Sequence, residues 1–242
     1  MPTILHGKST TVYIGGYDAT DTLNQSGYNG AVEPADVTCF GASDKAFISG
    51  LITTETSAGG VYSGGTAEAE TWLGSLFAGT PEAWVMWKDG DTFGNRGWAH
   101  PAIVSSYDIA DDLGDAVKFT VAGQGSDAKV DHVVSLRALA AATGTAAGTN
   151  HDGGAAASNG GWAAYLNVVS GTVSAGTVIV EHSVDGATSW ATLATFTFAG
   201  TAAIGGIGGA YSQGSGTVRR YVRHNLTGLA GTVRFAVAFA RR

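Results

Sequence analysis

Proline, cysteine and charge are all scarce in this sequence, and each shortage excludes something. Cys39 is the only cysteine among 242 residues. One thiol closes no internal disulfide and offers no cysteine-based metal cluster. The simplest expectation for Cys39 is a small buried hydrophobe in a strand. The chain has only 4 prolines beside 37 glycines, and without a Gly-X-Y period it is not collagen-like. Charged residues make up 14%, against roughly 25% in ordinary soluble domains. Together with 44% hydrophobic residues, that is the reverse of a disordered composition. No apolar run reaches the ~18 residues of a membrane-spanning helix. Met1-Pro2-Thr3-Ile4-Leu5-His6 lacks the basic head and apolar run of a secretory signal. The expected setting is synthesis in a reducing cytoplasm, with no membrane partner.

Motifs for common chemistry are missing too. No Gly-rich stretch ends in Gly-Lys-Ser/Thr before a helix, and no Gly-x-Ser-x-Gly elbow occurs. His6, His100, His132, His151, His182 and His224 are scattered, with no spacing that suits a metal. Asp108, Asp111, Asp112 and Asp115 form an acidic cluster, but without the alternating ligands and closing Glu of an EF-hand. A solvated acidic turn is the plainest reading, and an acidic wall facing a channel is another. Ser183-Val184-Asp185-Gly186-Ala187-Thr188-Ser189-Trp190 approaches the Asp-box turn of sialidase propellers, yet it occurs once where a propeller would repeat it. No two carboxylates are singled out by spacing. The expectation is a protein that is not an enzyme and holds no cofactor.

The formal net charge is −7, and no basic stripe suited to a free nucleic-acid binder is visible. Residues 1–138 hold 17 of the 20 acidic and 7 of the 13 basic groups, a balance of −10; the remainder carries +3. Such asymmetry suggests two modules. Residues 139–160, small and Gly/Ala-rich with no apolar period, read as the linker between a domain at 1–138 and another at 161–242.

The first domain reads mostly as strands. Thr10–Ile14, Val37–Phe40, Leu51–Thr56, the doubly apolar run Ala83–Trp87, Trp98–Ile109, Val117–Val121 and Val130–Leu136 are the candidates. Residues 15–34 lack periodicity and read as a long loop. One helix is expected over about 66–78. Thr66 caps it, Glu68 and Glu70 lie in its first turn, and Ala69, Trp72, Leu73, Leu76 and Phe77 share a face. The second domain is all β by pattern, with strands at Trp162–Val169, Thr177–His182, Thr192–Phe198, Val218–Arg223 and Thr232–Ala240. Alternation puts Arg219 and Arg223 on one face of their strand and Arg220 on the other. That split is a poor anion cradle, and ion pairs to a neighbouring domain or subunit suit it better.

These residues meet a known pattern. Lys8-Ser9-Thr10-Thr11-Val12, Gly16-Tyr17-Asp18, a long loop, Val37-Thr38-Cys39-Phe40-Gly41, Asp44-Lys45 and Phe47-Ile48-Ser49-Gly50-Leu51 follow in order. This first domain resembles the major tail tube protein of long non-contractile tailed bacteriophages. The second resembles a β-sandwich appended in some tail proteins, by Ser183–Trp190, Val218–Arg223 and the run ending at Arg241. The resemblance implies a mainly β fold, an N-terminal tail-tube sandwich or barrel with one flanking helix, then a C-terminal all-β sandwich. It implies six copies closing a ring whose inner sheets form one barrel, and rings stacked around a tape-measure protein. Tail terminator and distal tail proteins would cap the tube, and double-stranded DNA would pass through it unbound. The protein would reside in the virion tail after synthesis in the host cytoplasm. Tyr17, Asp18, Asp21, Tyr28 and Glu33 would make ring-stacking or inter-subunit contacts. Asp36, Asp44, Glu55, Asp108, Asp111 and Asp112 are candidates for an acidic lumen wall, and Arg219, Arg220 and Arg223 for inter-domain or inter-subunit pairing. A different class of function is a sugar-binding or adhesive β-sandwich using Trp162, Trp190 and Tyr211.

Overall fold

The computed structural model describes residues 7–39, 43–62, 76, 79–111, 116–126, 130–158, 160–202 and 208–242. A 3-10 turn, Gly7–Ser9, precedes fourteen strands: β1 (Thr11–Ile14), β2 (Tyr17–Asp18), β3 (Leu23–Asp36), β4 (Phe47–Val61), β5 (Glu82–Trp87), β6 (Arg96–Ala110), β7 (Lys118–Gly125), β8 (Asp131–Ala142), β9 (Ala146–Ala147), β10 (His151–Ser158), β11 (Trp162–Ser183), β12 (Ala191–Ala202), β13 (Gly208–Gly214) and β14 (Val218–Arg241). One antiparallel sheet joins them along the path β12-β11-β14-β8-β6-β5-β1-β2. Off that path, β7 joins β6, β4 joins β7 and β3 joins β4; β13 lies on β11, and β9 and β10 lie on β14. The mainly β expectation holds. The helix expected over 66–78 lies outside the described residues except for Leu76, which is buried.

Several local expectations differ from the structure. The stretch 15–34 contains β2 and most of β3, which pairs with β4 from Leu23↔Gly60 to Asp36↔Phe47. Gly27, Gly30, Asn24 and Asn29 have poor strand propensity, and backbone bonds to β4 supply the order instead. The stretch 139–160 contains β9 and β10, with registers Asn225↔Ala147 and His151↔Val222 along β14. Val37 to Cys39 are not strand, and Cys39 is exposed, not buried. Trp162–Val169 and Thr177–His182 are one strand, β11, and Val218–Arg223 and Thr232–Ala240 are one strand, β14. Register shifts at Val168/Ser170, Val173/Ala175 and Ala175/Thr177 let the pair bend without ending. Gly231, at φ +126°, sits at that bend, where a Cβ would run into the Thr172 carbonyl.

Three apolar clusters build the interior. Val12, Ile14, Trp84, Met86, Ala102, Val104, Phe119 and Val121 form one, under β1, β4, β5, β6 and β7. Leu166, Val178, Phe196, Val222, Val233, Phe235, Val237 and Phe239 belong to another, among β11, β12 and β14. The third lies between them: Tyr13, Ala83, Val85, Trp87, Ala99, Val133, Ala163, Tyr165, Ala236, Ala238 and Ala240. The doubly apolar run at 83–87 is explained by this arrangement, since β5 faces one cluster with Trp84 and Met86 and the other with Ala83, Val85 and Trp87. Alanines dominate the middle layer, so the two backbones approach closely. Polar staples fix their angle. Asn167 Nδ2 donates to the Gly15 carbonyl at 2.6 Å and to that of Ala83 at 3.2 Å. Asp91 Oδ2 accepts from Tyr13 Oη at 2.6 Å and from Leu139 N–H at 2.5 Å.

Two buried histidines give stability a pH dependence. His100 sits between Thr54 and Thr56, with Nε2 2.9 Å from the Thr56 hydroxyl. His224 Nδ1 lies 3.1 Å from the Leu136 carbonyl. Burial pushes both imidazoles down to about 4, from 6.5. A folded pKa below the unfolded one means that the unfolded chain binds more protons between those values. Stability from these sites is therefore complete above about pH 6.5 and lost as pH falls toward 4. Each site contributes about 3 kcal/mol across that window. Urea midpoints measured from pH 7 to 4 should fall accordingly; a flat profile would contradict the buried neutral pair.

Candidate assembly surface

Apart from Val184 in a turn, the most exposed large apolar side chains among the described residues lie on one element, β4. β4 gains β7 as a neighbour only from Glu55 to Val61, through Glu55↔Gln124 to Val61↔Lys118. Between Phe47 and Thr54 its only strand partner among the described residues is β3, and β3 pairs with β4 alone. The distal halves of β3 and β4 are thus a two-stranded ribbon, about 25 Å long at ~3.4 Å per residue. Among the described residues no further strand pairs with either backbone edge, and the side chains of Phe47 to Thr53 are exposed on both faces. Leu51 is 78% exposed, Ile52 57%, Ile48 56% and Phe47 55%. An isolated two-stranded ribbon is marginal in water, and open apolar edges are templates for pairing with another chain.

The ribbon's base has a different character. In the layer β3-β4-β7-β6, one face packs Thr54, Thr56, Ala58, Phe119, Val121, Ala102 and Val104 inward. The register puts Asn29 beside Glu55 and Gln124, Gly27 beside Ser57, Ala122 and Ser106, and Thr120 beside Asp108 on the other face. That outward sheet face is mostly small and polar, with Val61 and Ile103 as its larger apolar members. Its charged groups are Glu55, Asp108 and Lys118, all exposed.

The residues expected to act together are spread out. Tyr28 is on β3 with its ring 5.5 Å from that of Trp98, and Glu33 is exposed on the ribbon. Tyr17 and Asp18 form β2 at the far end of the sheet path, where Tyr17 packs against the first cluster and Asp18 accepts from Thr20 N–H at 3.2 Å. Asp21 is exposed in the turn that follows. Among the acids, Asp36 closes β3 on the ribbon, and its carboxylate accepts from the Thr38 hydroxyl at 2.5 Å and the Thr38 N–H at 2.9 Å. Those bonds hold it below the usual carboxylate range. Asp44 is exposed near the tip and Asp111 just past β6. Asp112 lies outside the described residues. Only Glu55 and Asp108 share the polar face.

The three arginines all pair within the chain. Arg220 grips Asp152 with Nε at 2.8 Å and Nη2 at 2.6 Å, both groups exposed, which holds Asp152 below the usual carboxylate range. Arg223 Nε meets Glu181 at 2.6 Å, and its guanidinium carbon lies 3.8 Å over the Trp190 ring. Arg219 Nη1 donates to the Ser189 carbonyl at 3.1 Å. Of the candidate sugar platforms, Trp162 is buried, one face of Trp190 is covered by Arg223, and Tyr211 packs on the middle cluster. The Asp-box-like turn is a tight local structure: Asp185 accepts from Ala187 and Thr188 N–H groups and from the Thr188 hydroxyl, around Gly186 at φ +72°.

The exposed ribbon was not singled out from sequence. A signal for it exists in Phe47-Ile48 and Leu51-Ile52, adjacent apolar pairs that put bulk on both faces of one strand.

No protein-family profile matches the chain, and no curated protein matches it. Among solved structures, the virion of a native gene transfer agent particle aligns at 15% identity and a TM-score of 0.42, covering 53% of this chain and 98% of that one. The SPP1 tail tube aligns at 10% identity and 0.41, covering 50% and 76%. The SPP1 Dit protein, from a hub adsorption apparatus, aligns at 14% identity and 0.39, covering 96% and 98%. Likenesses this shallow carry no argument, and the chain's own residues must supply one.

Proposed function

We propose that this chain is a self-assembling structural subunit of a phage tail tube. Copies close into a ring, six by the resemblance of the first domain, and rings stack into a tube through the β3–β4 ribbon. The observation that carries this reading is the ribbon itself. It exposes large apolar side chains on both faces and, among the described residues, unpaired backbone on both edges, and a second copy of the chain satisfies both needs at once. The polar face of β3, β4, β7 and β6 then suits the bore. Most of its side chains are short, and Glu55 and Asp108 outweigh Lys118, so its net charge repels phosphate, the reverse of counterion-release binding. Duplex DNA passes such a wall without adhering. A tape-measure protein fills the bore before that, tail terminator and distal tail proteins close the ends, and the assembly resides in the virion. The second domain decorates the outside.

Electron microscopy of the purified chain tests this. Rings or tubes with a central channel are the expected image. A particle that stays monomeric at high concentration, with no tubes, would overturn the reading.

A further inference from the structure

A cleft of about 500 Å³ opens where the start of β6, β8, β10 and the end of β14 converge. Arg96, His132, His151 and Arg241 line it, with Trp98 as an aromatic wall and Asp152 as the one carboxylate. In a chain of formal charge −7 with 13 Lys and Arg residues, two arginines against one carboxylate around a hollow are a local reversal of sign, and the two imidazoles add N–H donors. Asp152 does not cancel it, because Arg220 already holds both carboxylate oxygens and Gly154 N–H donates to one at 2.9 Å.

The two cleft arginines differ in a useful way. Arg241 is fixed: Nη2 donates to the carbonyls of Arg219 at 2.6 Å and Arg220 at 2.5 Å. Gly153 lies so close to this guanidinium that a Cβ there would collide with it. Its Nη1 is buried with no acceptor, and an orphan donor of that kind costs ~1–3 kcal/mol. Arg96 is exposed, and its guanidinium has no hydrogen-bond partner among the described residues. Burial first, then the charges of Arg241 and Arg96, push the imidazole of His151 below its ordinary value, against the pull of Asp152. Fixed and free guanidiniums across a hollow, beside imidazoles, are the donor set that grips an oxyanion.

We propose that this cleft binds a phosphate-bearing small molecule, its phosphate between Arg96 and Arg241 and its organic part along Trp98. The volume exceeds that of a bare phosphate and falls in the range of small-ligand sites. None of the residues lining the cleft belongs to the exposed half of the ribbon or to the charged groups of the polar face.

Isothermal titration calorimetry of the full chain in low-salt, phosphate-free buffer tests it, with sodium phosphate, glucose 6-phosphate and glucose as probes. Saturable binding of glucose 6-phosphate is expected, with glucose silent. Arg96→Gln should weaken it about tenfold or more, the loss of a charge-assisted contact. Arg96 is exposed, so this variant should keep the wild-type unfolding midpoint. Arg241→Met should abolish binding, but Arg96→Gln keeps the test valid if Arg241→Met fails to fold. Inorganic phosphate binding as tightly as the sugar phosphate, and lost in Arg96→Gln, would support the site with free phosphate as its ligand. No saturable heat with either phosphate, equal affinity in Arg96→Gln, or glucose binding as well as its phosphate would each overturn the proposal. None of these readouts requires rings or tubes, so failure here leaves the assembly reading standing.

Discussion

A subunit carrying Leu51→Asp and Ile52→Asp should stay folded and fail to polymerise. The two side chains point to opposite faces of the ribbon, since neighbours on a strand alternate, and both are largely exposed. Neither belongs to an apolar cluster, so the change should shift the stability of the free subunit by no more than about 0.5 kcal/mol. Docked against a neighbour, each would contribute about 1.5–3 kcal/mol through burial. An aspartate in its place adds the larger cost of an unpaired carboxylate leaving water. That penalty recurs at every contact along a tube. Sedimentation velocity and electron microscopy should find monomers where the parent forms tubes. Tubes of the double variant would remove the ribbon from assembly, and a large drop in unfolding midpoint would make it part of the fold's own support.

Asp131→Ala should destabilise the subunit by about 3–5 kcal/mol, the cost of breaking a buried ion pair from one side. Asp131 is 3% exposed and opens β8. It accepts from Arg242 Nε and Nη2, both at 2.8 Å, and from Tyr165 Oη at 2.6 Å. Arg242 is steadied in turn by Gln213 at 2.6 Å. One carboxylate thus holds the start of β8, the first half of β11 and the residue after β14. Burial first, then the Asp131 charge and hydrogen bond, raises the Tyr165 phenol, so it is a donor at neutral pH. Removing the carboxylate leaves the buried Tyr165 hydroxyl and the Nε and Nη2 of Arg242 without their acceptor, Nη1 keeping Gln213. Asp131→Asn keeps the shape and the Tyr165 bond and should lose less. Urea unfolding measures both, and a loss under about 1 kcal/mol for the alanine variant would show that solvent substitutes for the pair.

Legibility in the sequence followed burial. β5, β7 and the Thr232–Ala240 part of β14 announce themselves because their side chains meet a core, and a core imposes alternation or doubled apolarity. β3, β9 and β10 do not, since backbone pairing orders them and their side chains are small or face water. A chain with 37 glycines holds many such stretches, and these read as loop and linker. Cys39 differs for a related reason: Val37–Phe40 has strand composition, yet Val37 to Cys39 are not strand, and the Thr38 N–H bonds the Asp36 carboxylate instead of a neighbouring strand. The acids were legible as a charge imbalance but not as a surface. Which of them share a face depends on the registers of β4, β6 and β7, and nothing local fixes those. The phosphate cleft was invisible because its four basic groups come from strands up to about 145 residues apart in the chain, counting from Arg96 to Arg241.

β14 is hydrogen-bonded to four strands, β8, β9, β10 and β11, and it follows all of them in the chain. On the ribosome, β8 can pair with β6 and β11 with β12 and β13 beforehand, but their β14 edges must wait. Among the described residues β9 and β10 have no other strand to join, and the edge of β11 that pairs with Phe235 and Phe239 stays open until β14 emerges. Local hairpins such as β5–β6 can close early, but the second half of the sheet snaps shut only when synthesis reaches it. A nascent chain stalled before residue 218 would be a sticky intermediate, and a translation pause there would be a window for chaperones.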